Sequence, residues 1–209
     1  MEKIKYMNGV FLYGASGHAK VIIEIAELND IPVLGLFDAD NSKTKLLGYK
    51  INEYKTFPKN SNYCISIGNN LIRKKIAENN SLNFINLFHP NSSISRRTKI
   101  GIGTVIMAGV SINSSSIIGK HCIINTNSSI DHDCSLDDYV HISPNAALAG
   151  NVTIGEGTHV GMGASIIQGI KIGKWCTIGA GAVIIQDIPD GATVVGNPGK
   201  IIKINNQND

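Results

Sequence analysis

The chain has 209 residues, 43% hydrophobic and 17% charged, with a formal net charge of +3. That is enough apolar material for one large domain or two small ones, which excludes a disordered chain, and too little charge to imply nucleic acid or an anionic membrane as partner. The apolar runs are too short to span a bilayer, the N-terminus lacks signal-peptide anatomy, and Cys64, Cys122, Cys134 and Cys176 form no CxxC pair, which excludes a zinc finger or secreted disulfide scaffold and fits a reducing cytoplasm.

In chain order, residues 10–13 (VFLY) read as a short buried strand, residues 14–19 (GASGHA) as a glycine-bearing turn and residues 20–28 as a helix. A second strand over 33–37 ends at Asp38. A third over 63–67 ends in Gly68, Asn69 and Asn70, followed by a helix over 71–79 and a fourth strand over 83–87. This alternation predicts an α/β unit with a parallel sheet, half of a Rossmann-like fold. Glycines at the first strand-to-helix turn let backbone N–H groups approach a phosphate, and the acid after the second strand stands where a ribose or sugar hydroxyl is held. Gly14 and Gly17 match only part of GxGxxG, with Ser16 at the middle position. A mononucleotide or nucleotide-sugar is therefore favoured over NAD.

His89-Pro90-Asn91 marks a joint, because the residue before proline is pushed out of helical geometry. Beyond it only Tyr139 and Trp175 are aromatic. From Ile94 to Ile184 every sixth residue is Ile, Leu or Val, without a break. The residue two before each is small or β-branched, and glycine often follows. A period of six is neither helix nor ordinary strand. It is the signature of a β-solenoid whose residues i−2 and i point inward, with Gly, Asn, Asp or Ser at the corners. Three sides close one 18-residue coil, giving about five coils. Cys122, Cys134 and Cys176 fall in inward slots and read as small apolar filler. Two domains are expected: residues 1–89, α/β, and residues 90–209, a parallel β-helix with a C-terminal cap.

His132 lies two residues after an inward aliphatic, at a corner, where its side chain faces out. Asp133 follows directly, and Asp131, Asp137 and Asp138 are near. Negative neighbours raise the basicity of imidazole. Acyl transfer from a thioester needs a base for the acceptor's proton and donors for the oxyanion. His132, oriented by Asp133, supplies the first. On its own it reads as a surface corner residue. His141 and His159 are one coil apart and should stack. The intervals of 9 and 18 along the histidines do not give the three convergent ligands of a metal site, so no metal is expected.

GASGHA, FDAD at residues 37–40, IGNN at 67–70, INTxxxxDHDC at 124–134 and GNPGK at 196–200, joined to a hexapeptide coil, resemble the bacterial sugar acyltransferases of the sialic acid O-acetyltransferase type. The branch most similar is the UDP-4-amino-sugar N-acetyltransferases, and the resemblance covers essentially the whole chain. It implies a left-handed β-helix, an exception to the right-handed crossover rule. It also implies acetyl-CoA as co-substrate, a UDP-linked 4-amino-dideoxy sugar as acceptor, a role in surface glycan biosynthesis, and a cytoplasmic homotrimer with active sites between subunits. The family places an Asn seven residues before a His followed by an acid. Here those positions are Asn125, His132 and Asp133, with Asp in place of the usual Glu. The resemblance assigns cofactor contacts to His141, Met162 and Ala180, and a place near a coenzyme phosphate to Lys200; Gly199 stands where the family usually has Ala. Ser16, Gly17 and His18 are expected to hold the sugar or phosphate end, Asp38 and Asp40 the hydroxyl side, and Gly68 and Asn69 the base or ribose. An O-acetyltransferase using the same base and a non-catalytic hexapeptide protein stay open as alternatives.

Overall fold

A computed structural model describes residues 9–53 and 57–205. The apolar run after Gly9 forms β1 (Val10–Tyr13), and the glycine-bearing turn leads into α1 (Gly17–Leu28), which buries Ala19, Ile22, Ile23, Ile25 and Ala26 on one side. There follow β2 (Val33–Phe37), the hairpin β3 (Lys45–Leu46) and β4 (Tyr49–Asn52), β5 (Asn62–Ile65), α2 (Asn70–Asn79) and β6 (Asn83–Phe84). The sheet runs β3-β4-β2-β1-β5-β6 and is parallel except for the hairpin. Both helices start before their apolar pattern does, each behind a polar residue: Ser16 precedes α1, and Asn69 Oδ1 accepts the N–H of Ile72 at 2.9 Å at the start of α2.

The coil begins at Leu87–Phe88, which already pairs with Val105–Ile106, three residues before the joint read from His89-Pro90. Thereafter each side is a two-residue strand paired in parallel with the strand eighteen residues on, as in Ile123↔His141 and Ile124↔Ile142. The result is a left-handed parallel β-helix. Its three faces are named by their strands: His141–Ile142 on face one, Ser129–Ile130 on face two, Ser135–Leu136 on face three. The six strands of face two mean six coils rather than about five. The inward Ile, Leu and Val positions from Ile106 on and the i−2 cysteines are buried in one continuous core. Inward hydroxyls are satisfied by corner backbone: Thr158 Oγ1 donates to Gly173 O at 2.7 Å and accepts from Cys176 N–H at 2.9 Å. From Gly103 to Gly181 the third residue after each inward aliphatic turns the corner at positive φ, for example Asn127 at 56° and Asn145 at 58°. Ala192–Val195 extends face one, and Lys200–Ile204 returns antiparallel against it as a cap.

The α/β unit sits on face one. Val105, Met107 and Ile123, which point out of that face, share a buried cluster with Val10, Leu12, Ile22 and Leu36. Among the described residues no helix is long and apolar enough to cross a membrane.

Candidate active site

His132 stands at the vertex between faces two and three, with 60% of its side chain exposed. Asp133 turns that corner at φ 59°, a conformation that Asp tolerates better than most residues. Its Oδ2 lies 2.8 Å from His132 Nδ1. On the other side Asp131 Oδ1 accepts the N–H of His132 at 2.8 Å and Nδ2 of Asn113 at 2.7 Å. The Asp133 hydrogen bond, followed by the charge of Asp131, raises the imidazole above its ordinary value of 6.5. With Nδ1–H donated to the carboxylate, the neutral ring carries its lone pair on Nε2.

One coil along, Gly150 makes room for this ring. A Cβ there would sit 2.6 Å from His132 Cε1 and 2.7 Å from Nε2, while its φ lies outside the left-handed region. The glycine is demanded by the imidazole, not by the backbone. Sequence reasoning missed Gly150; its only signal was its place eighteen residues after His132.

Asn125, Met162 and Ala180 share a different vertex, between faces one and two. Asn125 Oδ1 accepts the N–H of Thr126 at 2.8 Å, so its Nδ2 is the group that faces His141 Nε2 at 3.2 Å. His141 therefore accepts at Nε2 and carries its proton on Nδ1, and the ring also bonds the backbone of Gly68. The rings of His141 and His159 stack with centroids 4.6 Å apart and planes at 8°, as their spacing predicts. His159 Nε2 is in turn 2.7 Å from Ser143 Oγ. Burial, then the charges of His159, Arg73 and His18, push His141 down to about 2, so it is neutral at working pH. Met162 is exposed, and no heavy atom lies within 4 Å of the Cβ positions of Gly163 and Gly181 beside it. Lys200 opens the capping strand, exposed.

The loops of the α/β unit form a third group. Among the described residues Ser16 makes no side-chain cap bond and nothing lies within 4 Å of a Cβ on Gly17, so the first turn of α1 faces open space among them. Gly14, at φ 115°, lets the turn close on β5, because a Cβ there would meet Ile67 Cγ1 at 2.6 Å. His18 Nε2 is buried without a hydrogen-bond partner among the described residues, and burial followed by the Arg73 charge lowers this imidazole to about 4. Asp38 is engaged by its own loop and by the turn before α1: Oδ2 accepts from Ala15 N–H at 2.7 Å and from Lys43 Nζ at 3.2 Å, and Oδ1 from Asp40 N–H at 2.9 Å. Asp40 Oδ1 likewise accepts the Ser42 hydroxyl at 2.6 Å. The acids expected at the sugar hydroxyls thus also shape the β2 loop, and Asn69, expected at the base or ribose, also caps α2.

The fold brings His18, Gly68 and His141 together where the α/β unit meets face one. It does not bring Asn125 beside His132 in the same chain. A full side of the coil separates them, roughly 15 Å at about 3.3 Å per residue. His132 occupies the vertex opposite face one and so points away from its own α/β unit. Between the two vertices, face two forms a shallow groove floored by Ser111, Ser129, Ala147 and Ser165, with Asn113 and Asp131 on its rim beside His132.

Residues 9–80 match the family described as the PglD N-terminal domain, and residues 151–186 match the bacterial transferase hexapeptide family. A UDP-N-acetylbacillosamine N-acetyltransferase from Bacillus subtilis is 41% identical over 113 residues, covering 49% of this chain and 52% of that protein. The chain thus spans about half the length of this curated relative. Among solved structures, a variant of GDP-perosamine N-acetyltransferase from Caulobacter crescentus, in complex with CoA and GDP-perosamine, is 36% identical, covers 94% of this chain and 98% of its own, and superposes with a TM-score of 0.90. The acetyltransferase domain of PglB from Neisseria gonorrhoeae, in complex with acetyl coenzyme A, is 37% identical, covers 93% and 99%, and has a TM-score of 0.88. With a PglD-type α/β unit on a hexapeptide β-helix and likeness of this extent along both, the chain belongs to the family of hexapeptide-repeat sugar N-acetyltransferases.

Proposed function

We propose that this chain transfers acetyl from acetyl-CoA to the amine of a nucleotide-linked 4-amino-dideoxy sugar, UDP-linked in the first instance, in surface glycan biosynthesis. The observation that carries this reading is the exposed His132–Asp133 pair, whose carboxylate holds Nδ1 and leaves Nε2 as the proton acceptor. The acceptor amine attacks the thioester carbonyl, and His132 Nε2 takes its proton as the C–N bond forms. The carbonyl electrons move to oxygen, held by a backbone N–H of the coil; their return expels the CoA thiolate, which recovers the proton. The Asp133 carboxylate, held at Nδ1, favours the imidazolium that forms. Direct transfer fits the cysteines: all four are buried, and burial pushes Cys122 up to about 12, far from a working nucleophile.

His141, Met162 and Ala180 are the residues proposed to hold acetyl-CoA, with Lys200 at a coenzyme phosphate, and Asn125, on the vertex of Met162 and Ala180, is proposed to join the His132 and Asp133 of a neighbouring chain as the third catalytic residue. Ser16, Gly17, His18, Gly68 and Asn69 are proposed to hold the nucleotide sugar, with Asp38 and Asp40 shaping that loop and facing the sugar hydroxyls. A homotrimer is supported by the separation of these groups. His132 points away from its own α/β unit, so it must serve a neighbour's, and closed three-fold symmetry supplies that arrangement for all three copies. A cytoplasmic site suits the unpaired cysteines.

The test is a panel of UDP-, GDP-, TDP- and CMP-linked amino sugars with acetyl-CoA, followed by thiol release and by the alkali stability of the product. An alkali-stable amide is expected. An alkali-labile ester, or no release with any amino sugar, overturns N-transfer.

A further inference from the structure

Helix α2 meets the coil at the vertex between faces three and one. The corner residues there, Gly103, His121, Tyr139, Gly157 and Trp175, all have positive φ. His121 at 52°, Tyr139 at 63° and Trp175 at 55° are bulky side chains in a conformation that disfavours them. Such strain persists where the surroundings over-determine it. The glycines of the column make room for the rings: a Cβ on Gly157 would sit 2.4 Å from the Trp175 ring. His121 and Tyr139 stack at 5.6 Å.

The carbonyls of this strained column are what α2 grips. Asn70 Nδ2 donates to Gly157 O at 2.9 Å. Arg73 Nε donates to His121 O at 2.7 Å and Nη2 to Tyr139 O at 2.8 Å, so one guanidinium bridges two successive coils. Its remaining donors turn back to the loop ahead of α2 and to the helix's first residue: Nη1 to the carbonyls of Ile67 and Gly68, both at 3.2 Å, and Nη2 to Asn70 Oδ1 at 2.9 Å. Arg73 is 1% exposed, and among the described residues no carboxylate pairs with it. Burial lowers it only to about 10, so it is charged at neutral pH. Burying an unpaired cation is costly. A plain structural plug would be apolar; the planar fork reaches two coils and a loop at once.

We propose that Arg73 is a positioning residue for the acceptor: its guanidinium fixes the Ile67–Gly68 turn on the coil above His141 and sets an unneutralised positive charge beneath the loop that receives the nucleotide diphosphate. Arg73 itself is too buried to touch that ligand. The inference rests on the nucleotide-sugar reading of the preceding section. Its field reaches the same corner of the molecule, since Arg73 is among the causes that lower His18, His141 and His159.

The experiment is a calorimetric titration of the full chain with UDP, GDP and, separately, acetyl-CoA, beside thermal midpoints. Arg73→Met should weaken binding of whichever nucleoside diphosphate the wild type takes by about ten- to a hundred-fold, as loss of charge-assisted bonds implies, and weaken acetyl-CoA binding far less, through the Gly68–His141 contact alone. Arg73→Lys keeps the charge on a single three-donor atom and should recover part of the loss. If Arg73→Met does not fold, Asn70→Ala, which removes one loop-side partner, should show the same split in weaker form. A lowered thermal midpoint with unchanged nucleotide binding, or equal weakening for acetyl-CoA, overturns the proposal. A wild type that binds no nucleoside diphosphate instead overturns the function reading on which it rests.

Discussion

At the scale of single residues, the chemistry turns on which histidine can change protonation. His132 has its proton affinity raised by Asp133 and Asp131, whereas burial and cationic neighbours hold His141 at about 2. A base must be neutral to accept a proton, so the acid limb of kcat/KM should lie above pH 6.5. Asp133→Asn should move that limb down, since it removes the largest cause of the rise, and His141→Ala should leave it in place. The acceptor amine also titrates, but its pKa is indifferent to residue 133. A limb that follows His141→Ala and ignores Asp133→Asn inverts the assignment of roles. His132→Ala should lower kcat by about 10²–10⁴-fold with little change in acetyl-CoA affinity. Gly150→Ala should reproduce part of that loss with His132 still present, because the added methyl would lie against Cε1 and Nε2 and push the ring off Asp133. Normal kcat in Gly150→Ala would show that the ring has slack. His132 and Asp133 were legible because they are adjacent and break a repetitive pattern with charge. Gly150 and Arg73 were not, because the coil partners that explain them lie eighteen to sixty-six residues away in sequence.

Elements were legible in proportion to how strictly packing constrains them. Each coil side admits an aliphatic at i and a small residue at i−2, so the period survives from Ile94 to Ile184 without a gap. It escaped notice one side earlier because Phe88 stands in the aliphatic slot, packed against the same core only in part. The β3–β4 hairpin was missed for a different reason. Its two turn residues, Leu47 at φ 46° and Gly48 at φ 86°, form a tight turn in which Leu is an unexpected occupant. The coil core also gives a graded stability test. Ile154 is fully buried on face three, away from both site vertices, and Ile154→Ala should cost about 2–5 kcal/mol in denaturant unfolding. Ser135→Ala, at an outward position on the same face, should stay within about 0.5 kcal/mol. Equal losses at the two positions would mean that the inward slots do not carry the stability of the coil.

For the whole molecule, the proposed homotrimer would divide one active site between chains. The α/β unit covers face one, and His132 sits at the opposite vertex, so under the proposed function an acceptor held by Ser16–His18 and Gly68 would meet the His132 of another copy. The division can be tested without solving the assembly. His132→Ala chains keep the acceptor loops and lose the base. Gly17→Trp chains keep the base and fill the open space beside the first turn of α1. Each variant alone should be close to inactive. Mixed as unfolded chains and refolded together in equal amounts, they should recover about one quarter of wild-type activity. At each site a neighbour's intact His132 meets an intact acceptor loop with probability one half times one half, whatever the closed ring size. Light scattering of the refolded mixture should give three times the 22.4 kDa chain. Recovery to that level requires that base and acceptor come from different subunits. Activity no higher than the sum of the two parents would place both in one chain, and the three-fold reading would then lose its functional reason.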